Sequence, residues 1–359
     1  MIKNRLNQRI KISHEIILKV SQIDELKGQW NGSLVLNPKI LYQLQKSVVI
    51  TSSASSTRIE GAQMTDQEVE RFLRGIKQKT PQNRDEAEVA GYADLLGRVF
   101  DNYSSLEITE GQILGFHKIM LSFSEKDKEH CGKYKNKNNT VAIIEQGKIK
   151  KILFQPTLPY LVKKEMDDLL VWWQERQGNN DLHPLVMIAN FIFEFLAIHP
   201  FVDGNGRLSR ILINLLMLQK GYGFVPYVSL EEIFEERQSE YYLALRKTQK
   251  SHKTKNEDIT PWLNFFLDVI LVQTKKALNL LAGNENRKLL SEAQEKVYNL
   301  FVDGIELKVS EIQKEIKIPL PTVKQSMSKL VEYKLVEKNG QGPATRYKKI
   351  KKILEKDKK

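Results

Sequence analysis

The chain has 359 residues, 41% of them hydrophobic, enough for roughly two to three domains with at least one well-formed core. Its 56 lysines and arginines against 44 acids leave a formal charge of +12. That bias suits an anionic partner such as a nucleotide or nucleic acid, and suits a lysine-rich solvated surface equally well. A single cysteine, Cys131, excludes an internal disulfide, and six scattered histidines show no zinc-ligand spacing.

Residues 1–19 mix Lys3, Arg5, Arg9, Lys11 and Glu15 among short apolar stretches, so no signal-peptide core is read there and a cytoplasmic location is expected. Residues 51–61, TSSASSTRIEG, carry Ser56, Glu60 four residues on, and Gly61. Alone they read as a helix end, with Gly61 as its cap and Glu60 solvated. Residues 141–154, VAIIEQGKIKKILF, have two β-branched stretches around Gln146 and Gly147, which predicts a β-hairpin. Apolar residues at three- and four-residue spacings predict helices over 165–174, 191–198, 211–219 and 262–281, so the fold class is mainly α. The stretch 185–198 is apolar but for Asn190 and Glu194. It is too short for a bilayer, which needs about 20 residues, so it reads as a buried central helix with no membrane partner. Asn190 and Glu194 share a face, where they are expected to satisfy backbone groups of the loop that follows.

That loop is the most informative part of the chain. Residues 199–210, HPFVDGNGRLSR, put a base, a carboxylate, two glycines and two arginines directly after the apolar helix. Gly204 and Gly206 let the backbone turn tightly and bring N–H groups to an anion, and a helix over 207–220 directs its positive end at the same point. The run therefore reads as a cradle for a nucleotide's phosphates. His199 is placed to take a proton from an attacking hydroxyl, and Asp203 supplies a hard oxygen ligand for Mg²⁺ bridging the phosphates. Arg207 and Arg210 offer fixed-charge forks for phosphate oxygens.

Further on, 237–249 carries Tyr241 and Tyr242, flat apolar surfaces suited to a base, and Gln249, able to hydrogen-bond a base edge. Residues 282–289 read as a polar linker. After it, Ser291 with Gln294 makes a capping box, Ser310 caps a second short helix, Pro321 opens a third, and strands at 335–338 and 345–349 flank NGQGPA. This is similar to a winged helix-turn-helix domain over 290–350, followed by a basic tail, 351–359. From residue 290 onward 16 lysines and arginines face 10 acids, a net of +6 and half the chain's excess. DNA contact through Lys324, Gln325, Ser328, Lys329 and Arg346 is one expectation, and protein docking or a homodimer another.

The run 199–210 resembles the Fic (Fido) family signature HxFx[DE]GNGRxxR at every fixed position. The resemblance implies a Fic-type helical core over 106–281 and a protein adenylyltransferase, which moves AMP from ATP to a Tyr, Thr or Ser hydroxyl of a protein target with Mg²⁺ or Mn²⁺, self-modification included. It implies that His199 deprotonates the hydroxyl, Asp203 and the ATP phosphates hold the metal, Asn205 with the Gly204 and Gly206 backbone steadies the phosphates, and Arg207 and Arg210 balance the departing pyrophosphate. The hairpin corresponds to the family's flap over the active site, where strand addition would register a target segment. Tyr241 and Tyr242 resemble the residues lining the adenine pocket. Ser56, Glu60 and Gly61 resemble the inhibitory motif [ST]xxxE[GN], whose glutamate pairs with Arg210, placing an inhibitory helix in the N-terminal region 1–105. Lys135, after Gly132, Lys133 and Tyr134, stands where many relatives carry arginine. Alternatives are an enzyme of the same fold using another nucleotide donor or removing AMP, and a nucleotide-sensing DNA-binding regulator.

Overall fold

A computed structural model describes residues 2–32, 38–76, 80–145, 148–179, 181–288, 291–301, 305–316, 318–333, 335–340, 342 and 345–350. The chain divides into two compact units, Met1–Leu278 and Asn279–Lys359. The first begins with α1 (Ile2–Gln8), α2 (His14–Gly32), α3 (Pro38–Ile59), α4 (Asp66–Gly75), α5 (Arg84–Asn102) and α6 (Glu110–Leu121). A hairpin of β1 (Val141–Glu145) and β2 (Lys148–Phe154) follows. The unit then continues through α7 (Pro159–Gly178), α8 (Pro184–Ile198), α9 (Asn205–Gln219), α10 (Leu230–Glu236), α11 (Gln238–Gln249) and into α12 (Thr260–Lys288). The strands pair antiparallel, Val141 opposite Phe154 and Glu145 opposite Lys148. The expected turn residues Gln146 and Gly147 lie outside the described residues.

α8 is the axis of this unit. A helix apolar on every face fits only an interior, and every residue from Leu185 to Ile198 is buried. Pro184 sets its first turn, where the His183 ring accepts the Leu185 N–H at 3.2 Å. Trp173 of α7 meets Phe191 edge-on at 5.1 Å, and the indole N–H of Trp262 donates to the Ala189 carbonyl at 2.8 Å. α9 packs along α8, so the connection between these two buried helices is held from both sides.

Asn190 and Glu194 do not serve that connection, contrary to the sequence expectation. Arg9 Nε donates to Asn190 Oδ1 at 2.7 Å, Asn190 Nδ2 donates to the Leu6 carbonyl at 3.0 Å, and Glu194 pairs with both Arg5 and Arg9. The same two arginines reach Glu257 at 2.8 Å. Burial would push the Glu194 carboxyl up, but Arg9, His252 and Arg5 hold it well below the usual carboxylate range. Arg9 is buried, and a buried guanidinium without carboxylates is far costlier than a loop carbonyl without a side-chain donor.

In the second unit α13 (Glu292–Tyr298) is followed by β3 (Glu306–Leu307), α14 (Val309–Ile316), α15 (Leu320–Glu332), β4 (Val336–Asn339) and β5 (Arg346–Lys349). The sheet order is β3-β5-β4, all antiparallel. Val297, Ile312, Val323, Met327, Leu330 and Val336 form its core. The capping box is present, Ser291 N–H to Gln294 Oε1 at 2.8 Å and Gln294 N–H to Ser291 Oγ at 3.4 Å. Pro321 lies in the first turn of α15, whereas Ser310 lies inside α14, after its first residue. The linker expected at 282–289 is instead helical as far as Lys288, so the unit boundary falls within α12. That stretch has no proline, and its glycine and asparagines each cost a helix about 1 kcal/mol or less. The expected tail 351–359 lies outside the described residues. No described helix is long and apolar enough to cross a membrane.

Candidate active site

α8 ends at His199, which adopts a left-handed conformation, φ 52° and ψ 62°, and turns the chain back on itself. The Asn205 carboxamide then clasps the loop in both directions: Phe201 N–H donates to Oδ1 at 3.0 Å and Nδ2 donates to the Phe201 carbonyl at 2.9 Å. The side chain of Asn205 thus shapes the loop, and only its backbone N–H is left for an anion. Gly204, at φ 80°, is the N-cap of α9 and provides no side chain to cap it. The first-turn N–H groups of α9 therefore face outward as an anion site. A Cβ on Gly206 would lie 2.2 Å from Glu60 Oε1, so the glycine admits a carboxylate directly over that helix end.

The charged groups converge on the same point. Asp203 Oδ1 accepts the Gly204 N–H at 2.6 Å, and Oδ2 accepts from Arg207 at 2.9 Å and from Arg84 at 3.3 Å. Burial would raise its pKa, but Arg207, the Gly204 N–H and Arg84 outweigh that and lower it, so Asp203 is a carboxylate. Arg207 is buried, with its Nε and Nη1 hydrogens unpaired. Its Nη1 stands 3.2 Å from Glu88 Oε2 but out of line for a hydrogen bond. Arg210 is fully buried: Nε donates to Ser56 Oγ at 2.8 Å, and Nη2 donates to the Ser56 carbonyl at 2.9 Å and to Glu60 Oε1 at 2.8 Å. Its Nη1 has no hydrogen-bond partner. Buried guanidinium donors without hydrogen-bond partners, Arg207 Nε and Arg210 Nη1, beside an open helix N-terminus suit a multiply charged anion.

His199 Nδ1 lies 3.3 Å from the Leu196 carbonyl. A carbonyl only accepts, so we assign the proton to Nδ1 and the lone pair to Nε2. Burial, then the charge of Lys135, lower its pKa to about 4, so the ring is neutral near pH 7 and available as a base.

Lys135 entered the sequence reading only through the resemblance, and the other contributors carried no sequence signal. Lys135 is buried, its ammonium on Asn139 Oδ1 at 2.6 Å and the Ile198 carbonyl at 3.3 Å, with its pKa pushed down to about 8 by burial. Asn139 in turn holds the Phe201 carbonyl at 3.0 Å. His117 stacks on Phe201 at 3.8 Å; its Nδ1 accepts the Gly132 N–H at 3.0 Å, so Nε2 carries the proton and donates to the Asp203 carbonyl at 3.0 Å. Together these residues fix the loop on which His199 and Asp203 sit.

Ser56, Glu60 and Gly61 come together at the end of α3, where Gly61 reverses the chain at φ 107°. Tyr242 and Gln238 both donate to the Ile59 carbonyl at 3.1 Å, tying α11 to that end. The ring of Tyr241 packs against Phe234, Trp262 and Phe265, so its face is spent on the core, and only Tyr242 of the pair is partly exposed. Gln249 stands about 10 Å further along α11 on the Tyr242 side. Glu194, His252 and Glu257 bring ligand atoms within 4.8 Å of one another, but both carboxylates are already bonded to Arg9. That cluster is an ion network and not a metal site.

Residues 107–217 match the model of the Fic/DOC family. The chain carries a Fic/DOC domain. Over 108 residues, 30% of the chain, it is 35% identical to the protein adenylyltransferase Fic of Drosophila mojavensis and 34% identical to that of Drosophila grimshawi. The match spans 18% and 19% of the length of those relatives. A Fic family protein from Desulfovibrio desulfuricans G20 shares the fold over 96% of this chain and 98% of its own, with a TM-score of 0.62 at 21% identity. Fic-1 from C. elegans shares it over 74% of this chain and 72% of its own, with a TM-score of 0.59 at 20% identity. The Fic domain is mainly helical, and the cradle at 199–210 lies inside the matched region.

Proposed function

We propose that the Fic domain transfers AMP from ATP to a hydroxyl of a protein target, and that Glu60 restrains it. The observation that carries this reading is the placement of the Glu60 carboxylate, bonded to Arg210 and lying over Gly206 at the open end of α9, where a terminal phosphate of ATP would otherwise sit. The unpaired donors of Arg207 and Arg210 then take phosphate oxygens. Asp203, ionised and partly exposed, fits a magnesium ion shared with the phosphates, since Mg²⁺ takes one or two carboxylates and keeps phosphate and water for the rest; the ion would neutralise charge gathering on the leaving pyrophosphate. His199 Nε2 accepts the proton of the incoming hydroxyl as its oxygen attacks the α-phosphorus, and the bond to pyrophosphate breaks in line. Incubating the protein and its Glu60→Gly variant with labelled ATP, other nucleoside triphosphates and AMP-modified protein tests the donor and the direction. AMP adducts on Tyr, Thr or Ser of the variant are expected, and label from another donor alone would overturn the reading.

For the second unit, the order helix, strand, two helices and two strands supports the winged helix-turn-helix reading. A cleft of about 480 Å³ there is lined by Lys308, Lys324 and Lys338 with the hydroxyls of Ser310, Ser328 and Thr345, and no acid lines it among the described residues. That segregation of charge favours contact with DNA phosphates.

A further inference from the structure

Asp203 is held by two arginines of opposite character. Arg207, one turn along α9, is buried and lies 2.9 Å from Oδ2. Arg84, the first residue of α5, lies 3.3 Å from the same oxygen with its side chain 67% exposed. Arg84 keeps a shorter bond of 2.7 Å from Nε to Glu88 Oε1, and Glu88 Oε2 stands 3.2 Å from Arg207. The four side chains thus close a ring. Glu88 and Arg207 are fixed in the interior, so Arg84 is the member that can leave Asp203 without unpacking anything.

Acceptor counting makes that departure matter. Asp203 Oδ1 takes the Gly204 N–H at 2.6 Å, and Oδ2 takes both arginines. Three of the roughly four acceptor positions of a carboxylate are therefore used. A divalent cation on Asp203 would meet the Arg84 guanidinium, a like charge already at bonding distance from its ligand. Arg84's contact is long for a charge-assisted bond and open to water, so it is the weaker of the two arginine contacts. A cleft of about 540 Å³ reaches the same point, lined by Arg84 and Asp203 with Glu125, Lys126 and Asp127, and it gives ions access to Asp203 from the solvent side.

We infer that Arg84 holds the place of the divalent cation: its guanidinium neutralises Asp203 from the solvent side and yields that carboxylate to the ion that accompanies the nucleotide, while Nε stays anchored on Glu88. The inference rests on the proposed role of Asp203 as a metal ligand. It makes Arg84 a competitor of the metal and not a phosphate ligand. Removing Arg84 should therefore strengthen the coupling between cation and nucleotide, whereas removing a phosphate ligand weakens nucleotide binding whether or not the cation is present.

The test is calorimetric binding of an ATP analogue with a methylene group between the α- and β-phosphorus, which cannot lose pyrophosphate, to Glu60→Gly and to the same protein with a second substitution. Each protein is titrated in EDTA and in Mg²⁺, and the ratio of the two affinities measures the coupling. Arg84→Ala should raise that ratio about three- to tenfold, the relief of repulsion between a doubly charged ion and one water-screened charge, and leave affinity in EDTA within about threefold. Arg84→Gln, which keeps an amide for Glu88, should match it. Lys126→Ala removes the same charge from the same cleft and should move the ratio less than twofold. A ratio within about twofold of Glu60→Gly in both Arg84 variants, an equal rise in Lys126→Ala, or a larger loss of affinity in EDTA overturns the inference. If Asp203→Asn leaves the ratio of Glu60→Gly unchanged, the metal role of Asp203 falls and this inference with it, a result decided before any Arg84 variant is measured.

Discussion

Replacing Glu60 with glycine removes the one carboxylate bonded to Arg210 among the described residues, and two opposite effects follow from the same contact. A hydrogen bond to a charged group contributes about 1.5–3 kcal/mol. The Glu60 side chain is 35% exposed while Arg210 is buried, so water screens one partner and the contribution falls to the foot of that range and below, about 1–2 kcal/mol. ATP must displace Glu60 in the wild-type protein and need not in the variant, so the variant should bind ATP roughly 5- to 30-fold more tightly. Without nucleotide the variant keeps a buried cation that has lost its carboxylate, and it should melt lower. With ATP and Mg²⁺ the order should narrow or reverse, because ligand bound only to the native state stabilises it by mass action. Thermal unfolding with and without nucleotide, alongside calorimetric affinities, reads both effects. Glu60→Gln separates charge from the backbone freedom of glycine and should lie between the two. Equal ATP affinity in the wild type and Glu60→Gly would refute the competition between carboxylate and phosphate.

His199→Ala in the Glu60→Gly background should lower single-turnover transfer by about 10²- to 10⁴-fold and leave ATP affinity nearly unchanged; full-rate transfer would remove His199 as the base. Because the folded pKa of His199 is lowered to about 4 from 6.5, its contribution to stability is complete above about pH 6.5 and is lost as pH falls toward 4, and kcat/KM should stay level through pH 6.5. An inflection near 6.5 in the pH profile would contradict that environment. Arg9→Met strands Glu194 and Glu257 without their shared cation and should cost about 3–5 kcal/mol in denaturant unfolding; a change under about 1 kcal/mol would show that Arg5 and His252 suffice. In the second unit, Lys324→Ala and Lys338→Ala should each reduce the log–log salt slope of duplex binding by about one, and no binding at low salt would exclude the DNA reading.

The loop from His199 to Arg210 was legible because its chemistry is contiguous: the turn-forming glycines, the helix start and the charges lie in one short stretch. The hairpin and α8 were legible because each is marked by a contiguous run, two β-branched stretches around a turn in one and an apolar stretch broken only by Asn190 and Glu194 in the other. The residues that hold the loop were not. Lys135 was singled out only through the resemblance, while His117 and Asn139 lie far from the loop in sequence, and a lone histidine or asparagine there has no pattern to read. Asn190 and Glu194 were placed on the correct shared face but given the wrong partners, because Arg5 and Arg9 lie more than 180 residues away in sequence and only the packing of α1 brings them in. The run 282–288 looked like a linker by composition, yet composition that weakens a helix does not stop one that enters it already formed.

The end of α3 is pinned by contacts that do not involve Glu60. Arg58 grips Glu235 with two bonds of 2.6 and 2.9 Å and reaches Asp66 at 2.8 Å, while Tyr242 and Gln238 hold the Ile59 carbonyl. Withdrawing the helix means breaking all of these, whereas turning the Glu60 side chain aside breaks one contact. Rotation of a partly exposed side chain takes picoseconds to nanoseconds and needs no unfolding. Under the role proposed for Glu60, the restraint acts as a throttle and not as a latch: it re-engages on the time scale of a side-chain rotation, and its setting follows the abundance of whatever competes for Arg210.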